Sequence, residues 1–199
     1  MFGSYRKTLS CAELIEVDDG YLVSQYCKQR WCLVCNRIRT ARMIEQYRPV
    51  VDAWTDAQTV GLTLQNVQPQ DLKDSLEKMN RIFGLCVKAI RREGYTFKAV
   101  RKLECTYNDG SGSNGSLSRC IGTYHPHYHL IIEGSAVAER FVELWLDRCK
   151  SHGLTASEYG QDVRPVNKNT LNEAFKYFTK VLPKKVETAN FVALDRIFR

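Results

Sequence analysis

Three of the four histidines in this 199-residue chain fall within five residues, His125-Pro126-His127-Tyr128-His129. Side chains alternate along a strand, so the three rings share one face while Tyr124, Tyr128, Leu130 and Ile132 share the other. Imidazoles converging from one face suit a metal ion. In the preceding stretch, residues 97–107, the same parity separates Lys98, Lys102, Glu104 and Thr106 from Phe97, Ala99, Leu103, Cys105 and Tyr107. If the two stretches pair as a hairpin, Glu104 joins His127 and His129 in an N,N,O ligand set with open positions for substrate oxygens. Glu133 has the parity of the histidines and is the rival third ligand. His125 is a further ligand, a support for one, or a phosphate contact. A hydrogen-bonded core histidine is the bland alternative, and it accounts poorly for three rings on one polar face. His152, near a helix end, reads as a surface or capping residue.

A second reactive group stands near the C-terminus. Over residues 171–182, helical periodicity gathers Leu171, Phe175, Phe178 and Leu182 on one side and Glu173, Tyr177 and Lys180 on the other. Tyr177 is therefore no core aromatic. A phenol with a pKa of about 10 is protonated at neutral pH, so a nucleophilic tyrosine needs positive charge nearby, and Lys176 and Lys180 are placed to supply it. Glu173 has two readings of equal weight. Thr170-Leu171-Asn172-Glu173 matches a helix capping box; facing the metal beside Tyr177, the same carboxylate orients or deprotonates a water or a substrate hydroxyl.

Of eight cysteines, Cys11, Cys27, Cys32 and Cys35 are spaced C-x15-C-x4-C-x2-C. The closing C-x2-C is the tight turn that lets two thiolates meet one tetrahedral Zn²⁺, and four soft ligands make a closed structural site. Such a site contributes about 10–16 kcal/mol of apparent binding free energy to the folding of a segment that lacks its own core. Cys86, Cys105, Cys120 and Cys149 are isolated and read as small hydrophobes. Arg30, Trp31, Arg37, Arg39 and Arg42 sit among or just after the zinc cysteines and suit phosphate contact and base stacking, or a solvated helix face.

The elements that must hold these groups follow from periodicity. Residues 59–67 alternate as a strand; Pro69 opens a helix whose stripe is Leu72, Leu76, Met79, Phe83, Cys86 and Ile90; residues 97–107 and 121–133 are strands about a Gly/Ser/Asn-rich loop, 108–118. A helix with Val137, Phe141, Leu144, Trp145 and Cys149 runs from Gly134-Ser135 to Gly153. A short strand over 162–166 follows, its Pro165 marking an edge, and then the tyrosine helix. The order β-α-β-β-α-β-α predicts an α+β, ferredoxin-like split βαβ fold. Its central antiparallel sheet is covered by two helices on one face and left open on the other. Residues 1–56 form a zinc-binding module with a basic helix and residues 57–199 the main domain, together one compact unit.

Length and 44% hydrophobic content allow one good core. A net charge of +7 favours an anionic partner. No apolar run reaches membrane length and the N-terminus lacks a secretory pattern, so a soluble, cytoplasmic protein is expected.

Taken together, these motifs resemble the zinc-containing rolling-circle replication initiators, or Rep proteins, of small bacterial plasmids, which are HUH endonucleases. The resemblance spans residues 11–180. It rests on Cys27-Lys28-Gln29-Arg30-Trp31-Cys32-Leu33-Val34-Cys35, Leu62-Thr63-Leu64, Leu103-Glu104-Cys105-Thr106-Tyr107-Asn108, the histidine strand, and Glu173-Ala174-Phe175-Lys176-Tyr177-Phe178-Thr179-Lys180. It implies sequence-specific nicking of single-stranded DNA at a replication origin with Mn²⁺ or Mg²⁺. Tyr177 would form a 5′-phosphotyrosine link, Glu173 and Lys180 would assist, and Lys102 and Lys176 would join the arginines in DNA contact. Host replication proteins would be further partners. Leu33 stands where the family often has proline, and the 108–118 loop is longer than usual. Two other readings remain: a non-catalytic zinc-stabilised nucleic-acid-binding module, which leaves the histidine strand idle, and a histidine-triad nucleotide hydrolase, which leaves the cysteines and Tyr177 unexplained.

Overall fold

The computed structural model describes residues 2–29, 32–110 and 120–166. In chain order the elements are α1 (Phe2–Leu9), β1 (Ile15–Asp18), β2 (Tyr21–Ser24), α2 (Leu33–Asp52), β3 (Ala57–Thr63), α3 (Leu72–Arg92), β4 (Ala99–Tyr107), β5 (Tyr124–Glu133), α4 (Ser135–Ser151) and β6 (Asp162–Pro165). The protein is α+β. β1 and β2 make a small ribbon, and the other four strands form one sheet in the order β4-β5-β3-β6. Every neighbouring pair in it is antiparallel. β6 lies at an edge, where the missing N–H of Pro165 costs no ladder bond. The predicted tyrosine helix lies outside the described residues.

One face of the sheet is dry. Val60 and Leu62 of β3, with Tyr124, Tyr128, Leu130 and Ile132 of β5, are buried against the stripes of α3 and α4. In α3, Leu72, Leu76, Met79, Cys86 and Ile90 are buried as periodicity predicts, but Ile82 is fully covered while Phe83 is only partly so. Phe83 instead spans the seam between the helices and the sheet, 5.1 Å from Phe141 and 5.5 Å from Tyr128 by ring centroids. Gly134 (φ +95°) and Gly153 (φ +71°) bracket α4 with turns that favour glycine.

Three expectations are corrected. The continuous ladder of β3 ends at Thr63, earlier than residue 67, because the Gln65 N–H donates to the Thr155 carbonyl (2.8 Å), and the chain meets β5 again at the Val67–Tyr124 bridge. β5 begins at Tyr124, after a turn that contains Gly122 (φ +84°). The second face of the sheet is only partly open. Ile131 has the parity of the histidines, and it is buried with Val51 under a cover of Met43, Ile44 and Trp54. An isoleucine and Val100 on that face need an apolar lid, and the C-terminal half of α2 with the chain just after it supplies one.

Candidate metal centre on the sheet

β5 alternates in burial along its whole length until Ile131, and Tyr124, Pro126 and Tyr128 are buried while His125, His127 and His129 are half-buried on the other face. Tyr128 anchors the segment between His127 and His129. Its ring lies 5.9 Å from Trp145, and its hydroxyl donates to Asn80 Oδ1 at 2.7 Å. Burial pushes this phenol up to about 12, so it stays a donor. The two histidines beside it are thus carried on a rigid strand.

Register then decides the third group. Glu104 lies directly opposite His127, and Lys102 opposite His129. Glu104 Oε2 is 3.2 Å from His129 Nε2 and 3.7 Å from His127 Nε2. One ligand atom from each of these residues lies within 4.8 Å of the other two. Donors about 2.1 Å from a hard divalent ion stand about 3 Å apart when adjacent in octahedral geometry, so this spacing fits such an ion. The charge state fits as well. Burial alone would raise Glu104, but the two imidazoles and Lys102 hold it well below the usual carboxylate range. Oε2 itself is buried without a properly aligned hydrogen bond. His127 Nδ1 is 3.1 Å from the His125 carbonyl, which can only accept, so Nδ1 donates there and Nε2 is the nitrogen left to face Glu104 or a metal ion.

The rivals stand elsewhere. Glu133 is tied to Lys98 Nζ at 2.6 Å. The His125 ring stacks on His127 with centroids 5.2 Å apart and stays outside the ligand group. Burial and the neighbouring His127 bring His125 down to about 4, so it is neutral at pH 7. His152 caps α4, its Nδ1 at 2.9 Å from the Arg148 carbonyl.

A second cluster forms at the start of α2. Cys11, Cys27, Cys32 and Cys35 bring their four sulfurs within 4.8 Å of one another. Cys35 Sγ lies 3.5 Å from Cys11 Sγ and 3.6 Å from Cys27 Sγ, close to the roughly 3.8 Å edge of a tetrahedron of Zn–S bonds. Ala12 (φ +64°) and Lys28 (φ +56°), the residues just after Cys11 and Cys27, both occupy the left-handed region. These turns aim main-chain donors at sulfur: Lys28 N–H to Cys35 Sγ at 3.2 Å and Cys27 N–H to Cys11 Sγ at 3.4 Å. Burial works against ionisation of Cys32, yet main-chain N–H groups at the start of α2 and the neighbouring thiols bring it down to about 7. Burial instead pushes Cys27 up to about 12. Such a shell of donors stabilises thiolates, and the four residues fit a zinc ion.

Of the basic residues picked from sequence, Arg37, Arg39 and Arg42 are exposed on α2. Arg39 Nη2 donates to the Lys28 carbonyl at 3.4 Å and so braces the cysteine cluster as well. Lys102 shares the ligand face. Arg30, Trp31, Glu173, Lys176, Tyr177 and Lys180 lie outside the described residues. Among the described residues no helix is long and apolar enough to cross a membrane.

Sequence reading missed Gly61, Thr63 and Asp162, which share the ligand face. Thr63 lies opposite His127, and Gly61 lies between His129 and Asp162. Parity in residues 59–67 would have placed the first two there, but nothing in the sequence gives the inter-strand register.

Known proteins bear on what these sites serve. The chain is similar to a "Protein rep" of Streptococcus pneumoniae serotype 2 (strain D39 / NCTC 7466), 25% identical over 145 residues, which cover 64% of this chain and 42% of that protein. It is likewise 25% identical over 143 residues to a "Protein rep" of Lentilactobacillus hilgardii, covering 66% of this chain and 42% of the relative. The matched part thus spans well under half the length of these relatives. The model of a family described as "Replication protein" matches residues 22–196, and with most of its length so matched the chain belongs to the replication protein family.

Proposed function

We propose that the chain is a DNA-nicking enzyme of the HUH type that starts rolling-circle replication by cutting single-stranded DNA at an origin. The observation that carries this reading is the convergence of Glu104, His127 and His129 on one sheet face in a replication protein. The strand order, with α3 and α4 as its crossovers, agrees with the ferredoxin-like split βαβ arrangement of that fold. Residues 57–199 act as the nuclease domain and residues 1–56 as a zinc-binding module.

Mn²⁺ or Mg²⁺ bound by Glu104, His127 and His129 would polarise the scissile phosphate and offset the charge that builds on its oxygens. The Tyr177 phenolate, favoured by Lys176 and Lys180, attacks phosphorus in line. The P–O3′ bond breaks, the 3′-oxygen takes a proton to become a free hydroxyl that primes synthesis, and the 5′-phosphate stays on Tyr177. Glu173 then deprotonates the water or DNA hydroxyl that releases the link, unless its role is to cap the helix. Arg30, Arg37, Arg39, Arg42, Lys102 and Lys176 contact the DNA backbone, and Trp31 stacks on a base. Zn²⁺ on the four cysteines holds the N-terminal module.

Incubation with single-stranded DNA pools and Mn²⁺ should give a denaturant-resistant protein–DNA adduct. It should vanish in Tyr177→Phe and on chelation of the divalent ion. An adduct that survives Tyr177→Phe refutes the nucleophile. The absence of any adduct across diverse sequences favours a zinc-stabilised binding module without catalysis.

A further inference from the structure

The ligand face can be laid out as a lattice from the strand registers. Glu104, His127 and Thr63 form one row across β4, β5 and β3; the next runs Lys102, His129, Gly61 and Asp162 out to β6. Beyond that row Ile131 is sealed by Val51 under the end of α2, so a polymer lying on the ligands cannot continue in that direction. Towards β6, by contrast, the position next to His129 carries no side chain.

Among the described residues nothing requires glycine at position 61. Its backbone does not adopt a left-handed conformation, and among the described residues a Cβ built there would touch only Asp162 Cβ, at an ordinary 3.8 Å. Glycine within a strand loses conformational entropy on folding and gives up side-chain packing; it commonly marks the close approach of a ligand. On the far side of this gap Asp162 Oδ1 accepts from Arg164 Nε at 2.8 Å, and both side chains are at least half exposed. A carboxylate repels phosphate, so on a DNA-binding face it suits a base instead, accepting from the exocyclic amino group of adenine or cytosine.

Resting on the nicking reading above, we propose that the nucleotide next to the scissile phosphate crosses the sheet over Gly61 and that Asp162, steadied by Arg164, reads its base. Gly61 is then a positioning residue and Asp162 a specificity determinant. The alternative role for the Asp162–Arg164 pair is to keep an edge strand from pairing with another sheet.

The test uses the full chain and single-stranded oligonucleotides randomised around the site that the wild type cuts in Mn²⁺. Products are sequenced, and oligonucleotide binding is followed by fluorescence anisotropy. Gly61→Val is expected to weaken oligonucleotide binding and raise KM about tenfold or more, with a smaller change in kcat. Its Mn²⁺ affinity by calorimetry should be that of the wild type. Gly61→Ala, which the fold accommodates, should fall between. Asp162→Asn should lose at least about fivefold of an adenine or cytosine preference at one position beside the nick. Wild-type binding and KM in both Gly61 variants, or an intact base preference in Asp162→Asn, would overturn the proposal while leaving the nicking reading in place. Self-association of Asp162→Asn with unchanged preference would assign the pair to edge protection and also overturn it. Failure of the wild type to cut any sequence would instead defeat the nicking reading, and this proposal with it.

Discussion

Glu133 shares the parity of the histidines and Glu104 joins their face if the two strands pair, so sequence alone leaves them as rivals for one ligand position. Register separates them: Glu104 faces His127 across the ladder, whereas Glu133, at the end of β5, is held by Lys98. A buried carboxylate oxygen without an aligned hydrogen-bond donor costs stability unless a cation takes that place. Glu104→Gln should therefore lower Mn²⁺ affinity by about tenfold or more in calorimetry while leaving the circular dichroism spectrum unchanged. Affinity equal to the wild type would exclude Glu104 as a ligand. Asp56 gives a pH signature of a different origin. Its Oδ2 accepts the Ser135 N–H at 2.6 Å at the start of α4, and this and the other hydrogen bonds at its carboxyl hold it below the usual carboxylate range. Because the folded value is the depressed one, the stabilisation is present above the ordinary carboxylate range and lost as pH falls from there through the lower folded value. The thermal midpoint of Asp56→Asn should lie below that of the wild type at neutral pH, and the gap should close on acidification; a gap constant with pH would contradict the assignment.

At the scale of elements, the alternating and helical patterns over residues 57–166 yield to sequence reading because one face of each element is buried in a common core. α2 does not yield in the same way. Its apolar residues form no clean stripe, Pro49 sits inside its last turns, and Val50 and Tyr47 are exposed, so nothing local reveals that Val51 seals Ile131. Periodicity likewise gave no sign of the β1–β2 ribbon, which is exposed along β1. α2 links two sites, starting on the cysteine cluster and ending on the ligand face. Removing the zinc proposed for the four cysteines should unravel its first turns while the sheet core persists. Chelation strong enough to release zinc should therefore lower helical ellipticity and expose four reactive thiols without abolishing the main unfolding transition. A single concerted loss of all structure would show that the core depends on the cluster. Val51→Ala, which removes two buried methyl groups, should cost about 1.5–2 kcal/mol in denaturant unfolding.

Across the whole molecule, net charge was legible from composition, but its placement was not. The +7 surplus must be concentrated where a polyanion lies if it is to serve binding, since scattered lysines and arginines release few counterions. α2 concentrates part of it: Arg37 and Arg42 are exposed, whereas Arg39 reaches back to the Lys28 carbonyl. These three arginines, alike in sequence, should therefore separate in experiment. Each phosphate contact on a single strand contributes about 0.7 to the slope of log affinity against log salt concentration. Replacing Arg37 and Arg42 together by alanine should shrink the slope by about 1.4, weaken binding to all sequences alike, and leave Mn²⁺ affinity intact. Arg39→Ala should also make zinc easier to remove, because it releases the main chain beside Cys27. An unchanged salt slope in the double variant would move the polyanion off α2, and the surplus charge would then have to act through lysines and arginines elsewhere on the surface.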